Sequence, residues 1–143
     1  MHTSHTVTLD RSADDVFAFL SDVRNEVAWR SSIVGSRYVD VDGPELGAAG
    51  ATDVEMRGRG LTMRWTITDF SPPERLVAWE LDGEPWHGGG SYRVVPLPNG
   101  CWVTARLVVR VKGVARPLEP VLWFAFRRGL RDDLARLATV LPR

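Results

Sequence analysis

Residues 117–141, PLEPVLWFAFRRGLRDDLARLATVL, form a long amphipathic segment. Leucine or phenylalanine recurs there at spacings of three and four, which predicts one apolar stripe along a helix of about seven turns. The stripe consists of Leu122, Phe126, Leu130, Leu134, Leu137 and Leu141. Pro117 and Pro120 are typical of a helix start, because the missing N–H group costs little there. A helix with one apolar side needs a surface that covers it.

The residues before this helix predict such a surface. Apolar and polar side chains alternate in residues 61–68, LTMRWTIT, and again in residues 103–111, VTARLVVRV. This two-residue period is typical of strands with one buried face. Six segments of this kind follow residue 33 and are separated by turn residues, and residues 6–10 form an earlier one. The pattern therefore predicts a seven-stranded, curved antiparallel sheet.

Two short helices are predicted between the first strand and the rest of the sheet. Ser12 is followed by two acidic residues and then by an apolar run, which is the pattern of a capped helix start. Asp22 is a second capping residue, and it precedes a short segment that ends at Trp29. The order of strand, two helices, six strands and long helix indicates an α+β fold in a single domain over residues 1–143.

Composition and charge exclude several classes of protein. The formal net charge is zero, although residues 106–143 contain nine basic and three acidic residues. Cys101 is the only cysteine, and two of the three histidines, His2 and His5, lie near the N-terminus. We therefore expect no metal, no cofactor and no nucleic-acid partner. No signal sequence or long apolar run is present. We expect a cytoplasmic monomer or homodimer without stable membrane insertion.

Three stretches resemble one protein superfamily. They are SADDVFAFLSDVRNEVAW at 12–29, WTITDFSPPERLVAWELDG at 65–83 and LRDDLARLATVLPR at 130–143. Together they are similar to the START-like, or polyketide cyclase and dehydrase (SRPBCC), superfamily. The resemblance implies a helix-grip fold, in which the sheet wraps around the C-terminal helix. It also implies a deep hydrophobic cavity between the two, which members use for lipids, polyketides, isoprenoids or hormones.

Periodicity supplies the candidate residues of such a cavity. Large flat side chains fill cores and line apolar ligand sites equally well, and the chain contains six tryptophans. Trp65 in the middle of a strand and Trp123 early on the terminal helix are the first choices. The full set of predicted ligand-binding residues is Trp29, Met63, Trp65, Trp79, His87, Tyr92, Trp123, Phe126 and Leu130.

Titratable residues offer candidates for catalysis. His87 precedes three glycines, but the nucleophile motif of hydrolases is absent, so a strand start or a cavity rim is the better interpretation. Glu80 alternates with Trp79, and one of the two must face inward. Asp133 interrupts the helix stripe, which favours a structural ion pair or a position at the edge of the stripe over a general acid or base. His87, Tyr92 and Glu80 are therefore the catalytic candidates.

These observations leave three hypotheses open. The first is a protein that binds one hydrophobic or aromatic small molecule, as a carrier, sensor or sequestering protein. The second is a polyketide cyclase or dehydratase that uses His87, Tyr92 and Glu80 for proton transfer. The third is a protein-interaction module that uses the arginine-rich side of the terminal helix, with Phe124 and Arg128 exposed.

Overall fold

The computed structural model describes residues 1–56, 58–82, 86–111 and 113–141. Seven strands and three α-helices follow one another in the predicted order. The elements are β1 (His2–Leu9), α1 (Ala13–Ser21), a 3₁₀ turn (Val23–Asn25), α2 (Glu26–Trp29), β2 (Ile33–Tyr38), β3 (Ala49–Met56), β4 (Arg59–Ser71), β5 (Leu76–Asp82), β6 (Trp86–Leu97), β7 (Gly100–Val111), a 3₁₀ segment (Gly113–Leu118) and α3 (Glu119–Val140).

All seven strands belong to one antiparallel sheet. Its order is β1-β7-β6-β5-β4-β3-β2, so the meander from β2 to β7 is completed by the first strand of the chain. Val7 of β1 lies opposite Val103 of β7, which puts the apolar residues of both strands on the inner face. The predicted seven-stranded sheet around a long C-terminal helix is confirmed.

The helix starts have clear local causes. The Ser12 hydroxyl accepts a hydrogen bond from the Asp15 amide at 3.1 Å, and this bond caps α1. The Asp22 carboxylate accepts one from the Arg24 amide, also at 3.1 Å, and caps the 3₁₀ turn before α2. The α3 helix begins at Glu119, two residues after the predicted start, because Pro117 belongs to the preceding 3₁₀ segment.

The hydrophobic core lies toward the C-terminal end of α3. Leu134 and Leu137 are completely buried there, in one cluster with residues of α1 and of the inner face of the sheet. The first half of the same helix is less deeply packed, since Phe126 is only partly buried. The sheet and the helix therefore enclose a solid core at one end and leave space at the other.

A bulge in β4 explains one exception to the simple alternation. Ile67 pairs with Trp79, but the next paired residues are Asp69 and Ala78, so Thr68 is an extra residue. The bulge reverses the two faces beyond this point. Asp69, which would continue the apolar face of β4, is therefore exposed to solvent.

Candidate functional site

A cavity of about 320 Å³ lies between the inner face of the sheet and the helices. Residues of β3, β4, β5, β6 and β7 form its floor, and α1, α2 and Phe126 of α3 contribute to its other walls. The volume falls within the range typical of small-molecule sites, which begins at about 300 Å³. The chain therefore encloses room for a ligand in addition to its packed core.

Alternate residues of adjacent strands make most of the wall apolar. Because successive side chains of a strand point to opposite faces, every second residue of β4 and β5 reaches the cavity. These residues are Leu61, Met63, Trp65, Ile67, Val77, Trp79 and Leu81. Their polar neighbours in the sequence, such as Arg64 and Glu80, are exposed on the other side of the sheet.

Trp65 is held in one position by two neighbouring strands. Its indole N–H donates a hydrogen bond to the Thr52 hydroxyl at 2.9 Å. The Tyr38 ring meets it edge to face, with 5.7 Å between the ring centroids. Gly50 lies opposite Trp65 on β3, and a Cβ atom there would overlap the indole ring. The wall at this point is therefore rigid before any ligand arrives.

Trp79 and Tyr92 form a second aromatic contact on the wall. Their ring centroids lie 4.9 Å apart, and Trp29 packs behind Tyr92 at 5.6 Å. A Cβ atom at Gly90 would lie 2.7 Å from the Trp79 ring, closer than real Cβ contacts allow. The glycine run after His87 thus lets β6 pass directly beside the Trp79 indole.

One end of the cavity is polar. Glu26 and Arg30 lie four residues apart at α2, and both reach the wall beside Tyr92. The Tyr92 hydroxyl donates to the Glu26 carboxyl at 3.0 Å and accepts from the Arg30 guanidinium at 3.1 Å. Glu26 is buried, with 7% of its surface exposed. A mostly apolar cavity therefore ends at a buried group of hydrogen-bonding side chains.

Asp133 of α3 completes this polar cluster from behind. Its carboxylate accepts hydrogen bonds from the Arg30 Nε at 3.3 Å and from the Ser31 amide at 3.2 Å. Asp133 is 3% exposed and forms an ion pair with Arg30. The predicted structural ion pair at this interruption of the apolar stripe is confirmed. It joins α3 to the end of α2 and orients the guanidinium.

Burial and neighbouring charges shift the pKa values of this cluster. It raises the pKa of Glu26, and the charge of Arg30 and the Tyr92 hydrogen bond only partly offset the effect. Burial and the neighbouring Glu26 also raise the pKa of the Tyr92 hydroxyl. Burial lowers the pKa of Arg30, but Tyr92 and Glu26 outweigh it, so the pKa rises overall. Because Asp133 balances the Arg30 charge, the cluster is electrically neutral when Glu26 is protonated.

The cavity reaches the surface near the β3–β4 turn. Arg59, Gly60 and Leu61 are exposed to solvent and also line the cavity. They follow directly on the turn that joins the two strands. The cavity is therefore open to solvent at this edge of the apolar wall.

The chain matches the family described as "Polyketide cyclase / dehydrase and lipid transport" over residues 1–142. It belongs to this family. An uncharacterized protein of Mycobacterium tuberculosis, Rv2574, is 30% identical over 137 residues, which cover 90% of this chain and 79% of that protein. The predicted membership of the START-like and polyketide cyclase superfamily is confirmed.

Solved structures of similar proteins share the fold. The Zhui aromatase/cyclase from Streptomyces sp. R1128 is 21% identical, with a TM-score of 0.75 over 97% of this chain and 92% of that chain. A START superfamily protein from Mycobacterium smegmatis is 22% identical, with a TM-score of 0.74 over 97% and 98% of the two chains. At this level of identity the similarity establishes the architecture.

Five of the predicted ligand-binding residues lie on the cavity wall of this family member. They are Met63, Trp65, Trp79, Tyr92 and Phe126. Trp29 and Leu130 are buried in the core instead, at 0% and 4% exposure. Trp123 lies outside the cavity, where its indole N–H donates to the His2 carbonyl at 2.8 Å. Ligand binding itself stays a prediction for all of them.

The three catalytic candidates of this family member do not converge. Tyr92 lines the cavity, whereas Glu80 is exposed on the outer face because Trp79 takes the inward position of β5. His87 is partly buried in β6 opposite Arg110, and it is not part of the cavity wall. The carboxyl group that contacts Tyr92 is that of Glu26, in place of Glu80.

Glu26 and Arg30 were absent from the predicted site. The available signal was a Glu and an Arg four residues apart in a short predicted helix, which is also the commonest arrangement of a solvent-exposed pair. Within the described part of the chain, no three His, Cys, Asp or Glu side chains cluster as metal ligands would. Nor does any described helix combine the length and apolar character that crossing a membrane requires.

Proposed function

We propose that this chain binds one hydrophobic or aromatic small molecule that carries an oxygen at one end. The observation that carries the proposal is the apolar cavity of about 320 Å³ that ends at Glu26, Arg30 and Tyr92. Membership of the family is consistent with it. The apolar body of the ligand lies against the tryptophan-rich wall, and its oxygen meets the polar cluster.

The cavity volume limits the size of the ligand. A dry protein cavity of about 150 Å³ accepts a benzene molecule. The present cavity is about twice that size. Two or three fused rings, or an aliphatic chain of similar volume, therefore fit without movement of the rigid Trp65 side.

The polar cluster favours a ligand oxygen that accepts hydrogen bonds. Arg30 has five N–H groups, and its bonds to Asp133 and Tyr92 use two of them. The others have no acceptor among the described residues. Burial raises the pKa of the Glu26 carboxyl group and so favours its protonated form, which is also a hydrogen-bond donor. A ketone, phenolate or carboxylate oxygen suits this arrangement better than an ammonium group does.

A cyclase or dehydratase is the second candidate. A protonated Glu26 hydrogen-bonded to Tyr92 on the cavity wall can give its proton to a hydroxyl group of the ligand, which leaves as water, and the resulting carboxylate can take the proton lost from the adjacent carbon. The similarity to the Zhui aromatase/cyclase gives this candidate weight. The residues of the reaction are then Glu26 and Tyr92, while Arg30 binds the developing oxyanion.

Binding of naphthalene probes tests the proposal directly. We expect 1-naphthoate to quench the protein's tryptophan fluorescence and to bind more tightly than naphthalene. Arg30→Gln should reduce this preference roughly tenfold or more, because hydrogen bonds to charged groups are lost. Leu81→Trp fills the cavity and should abolish binding. Glu80→Trp, the adjacent outward position, is the matched control and should leave binding intact.

Two outcomes would contradict the binding site. One is the absence of saturable binding of either probe to the wild-type protein, and the other is wild-type affinity for the probes in Leu81→Trp. Mass spectrometry after incubation with a polyketone distinguishes the two candidate functions. A carrier returns the ligand unchanged, whereas a dehydratase returns a product that has lost one water, and Glu26→Gln then stops the loss.

A further inference from the structure

The outward side of α3 displays apolar side chains that the fold leaves uncovered. Val121 and Phe124 are 64% and 65% exposed, and Leu118 just before the helix is 57% exposed. Arg128 and Arg131 continue the same side of the helix at spacings of four and three. We define Val121, Phe124, Arg128 and Arg131 as the outer face of α3.

The surroundings of the outer face are strongly basic. Residues 116–131 contain four arginines, Arg116, Arg127, Arg128 and Arg131, all of them exposed. Arg127 stacks over the Trp123 ring at 5.2 Å. Among the described residues, the other three have no acidic partner within ion-pair distance. The one acid in this range, Glu119, lies 3.0 Å from the N-terminal amine. Asp132, four residues after Arg128, is an exposed acid on the same side of the helix, so the four arginines outnumber two acids.

We propose that the outer face of α3 docks on the surface of an anionic lipid bilayer. An exposed aromatic and an aliphatic residue beside unpaired arginines match the two layers of such a surface, which are acyl chains below anionic headgroups. The arginines contact the headgroups while Phe124 and Val121 enter the boundary region. The contact requires no spanning helix, since the apolar residues only reach the interface.

Charge argues against a second copy of this chain as the partner. A two-fold contact through this face would bring Arg128 and Arg131 of both copies, four like charges, into one interface. The outer face is also the convex side of a helix rather than a groove. A flat surface with negative charge complements it best, and a bilayer supplies one.

This surface is next to the cavity but does not depend on its function. Phe126 lines the cavity from the opposite side of the same helix, two residues after Phe124. One helix thickness, about 10 Å, therefore separates a docked bilayer from the cavity wall. A chain that proves unable to bind the naphthalene probes could still dock on vesicles, so the two proposals fail separately.

Co-sedimentation with lipid vesicles tests the docking. We expect the wild-type chain to sediment with vesicles of phosphatidylserine and phosphatidylcholine, but not with phosphatidylcholine alone. Raising NaCl from about 0.05 M to about 0.5 M should release it, because salt screens the arginines. Arg128→Gln and Arg131→Gln should each weaken the binding about fivefold. Phe124→Ser should weaken it about tenfold.

Matched controls lie on the outer face of the sheet. Arg64→Gln and Arg93→Gln remove the same charge from exposed strand positions, and Trp102→Ser removes an aromatic residue that is 47% exposed. We expect these variants to bind vesicles as the wild type does. Circular dichroism verifies that every variant is folded.

Several results would overturn the proposal. The proposal is contradicted if the wild-type protein does not bind vesicles that contain phosphatidylserine, or if it binds neutral vesicles equally well. Controls that lose as much binding as the α3 variants would show that net charge alone matters. Light scattering that finds a dimer in the wild type and a monomer in Phe124→Ser would assign the face to self-association.

Discussion

Replacing Glu26 by Gln should change how the stability of this protein depends on pH. Glutamine has the shape of a protonated glutamate and keeps the oxygen that accepts the Tyr92 hydroxyl at 3.0 Å. It removes only the ability to ionise. Glu26 is buried, and burial raises the pKa of its carboxyl group in the folded state. Any difference in pH dependence between the two proteins therefore reports this one group.

The sign follows from proton linkage. In the unfolded chain a glutamate has a pKa of about 4.3. Below that pH both states hold the proton, and the favourable contribution of Glu26 is complete. Between the unfolded pKa and the raised folded pKa, only the folded state keeps the proton. The free energy of unfolding of the wild type then falls by about 1.4 kcal/mol per pH unit. Above the folded pKa, the loss is complete.

Urea unfolding of both proteins between about pH 4 and pH 8 measures this difference. We expect similar free energies of unfolding near pH 4, and an advantage for Glu26→Gln that grows by up to about 1.4 kcal/mol per pH unit above it. Glu80→Gln, at an exposed carboxyl group, is the control and should show no such trend. A constant difference between Glu26→Gln and wild type across the range would refute the raised pKa of Glu26.

Two further substitutions test how the walls of the site are held. Asp133→Ala should lower the free energy of unfolding by about 3–5 kcal/mol, because it leaves the buried Arg30 charge unpaired. The double variant with Arg30→Met should recover much of the lost free energy of unfolding. A cost of Asp133→Ala below about 1 kcal/mol in urea unfolding would argue against the ion pair. Gly50→Ala should cost about 2 kcal/mol or more by overlap with Trp65. The Cβ atom of Gly60→Ala would meet no atom within 4 Å, so this variant should lose far less stability than Gly50→Ala when both are measured by thermal unfolding. Equal losses would contradict the close contact between Gly50 and Trp65.

The strand-derived part of the site could be predicted from the sequence, and the part derived from α2 could not. A strand has a period of two, so the alternation in residues 61–68 is enough by itself to assign Met63 and Trp65 to the inner face. The α2 helix contains only four residues, Glu26–Trp29. One helical turn has no repeat that could separate Glu26, which lines the cavity, from Trp29, which is buried behind it.

For the longer elements, the sequence-based prediction was incomplete for a different reason. The stripe of α3 correctly predicts which residues face inward, but it does not tell how far the helix stands from the sheet. Phe126 meets the cavity, while Leu130, one turn later on the same side, is packed in the core. That difference depends on the angle between helix and sheet, which is set by tertiary contacts. The bulge at Thr68 is equally invisible, because Asp69 continues the apolar phase in the sequence alone.

The charged cluster is poorly explained by stability alone. Buried ion pairs are often no better for folding than apolar residues of the same volume, since desolvation offsets most of their attraction. Asp133 and Arg30 could in that respect be replaced by apolar residues of similar volume. Their arrangement instead holds a guanidinium with unused N–H groups against the one polar end of the cavity, next to Glu26. A group of this kind is useful when it recognises an oxygen of a ligand. The Arg30→Gln measurement with naphthoate and naphthalene distinguishes this role from a structural one, because a purely structural arginine would change the affinity for both probes equally.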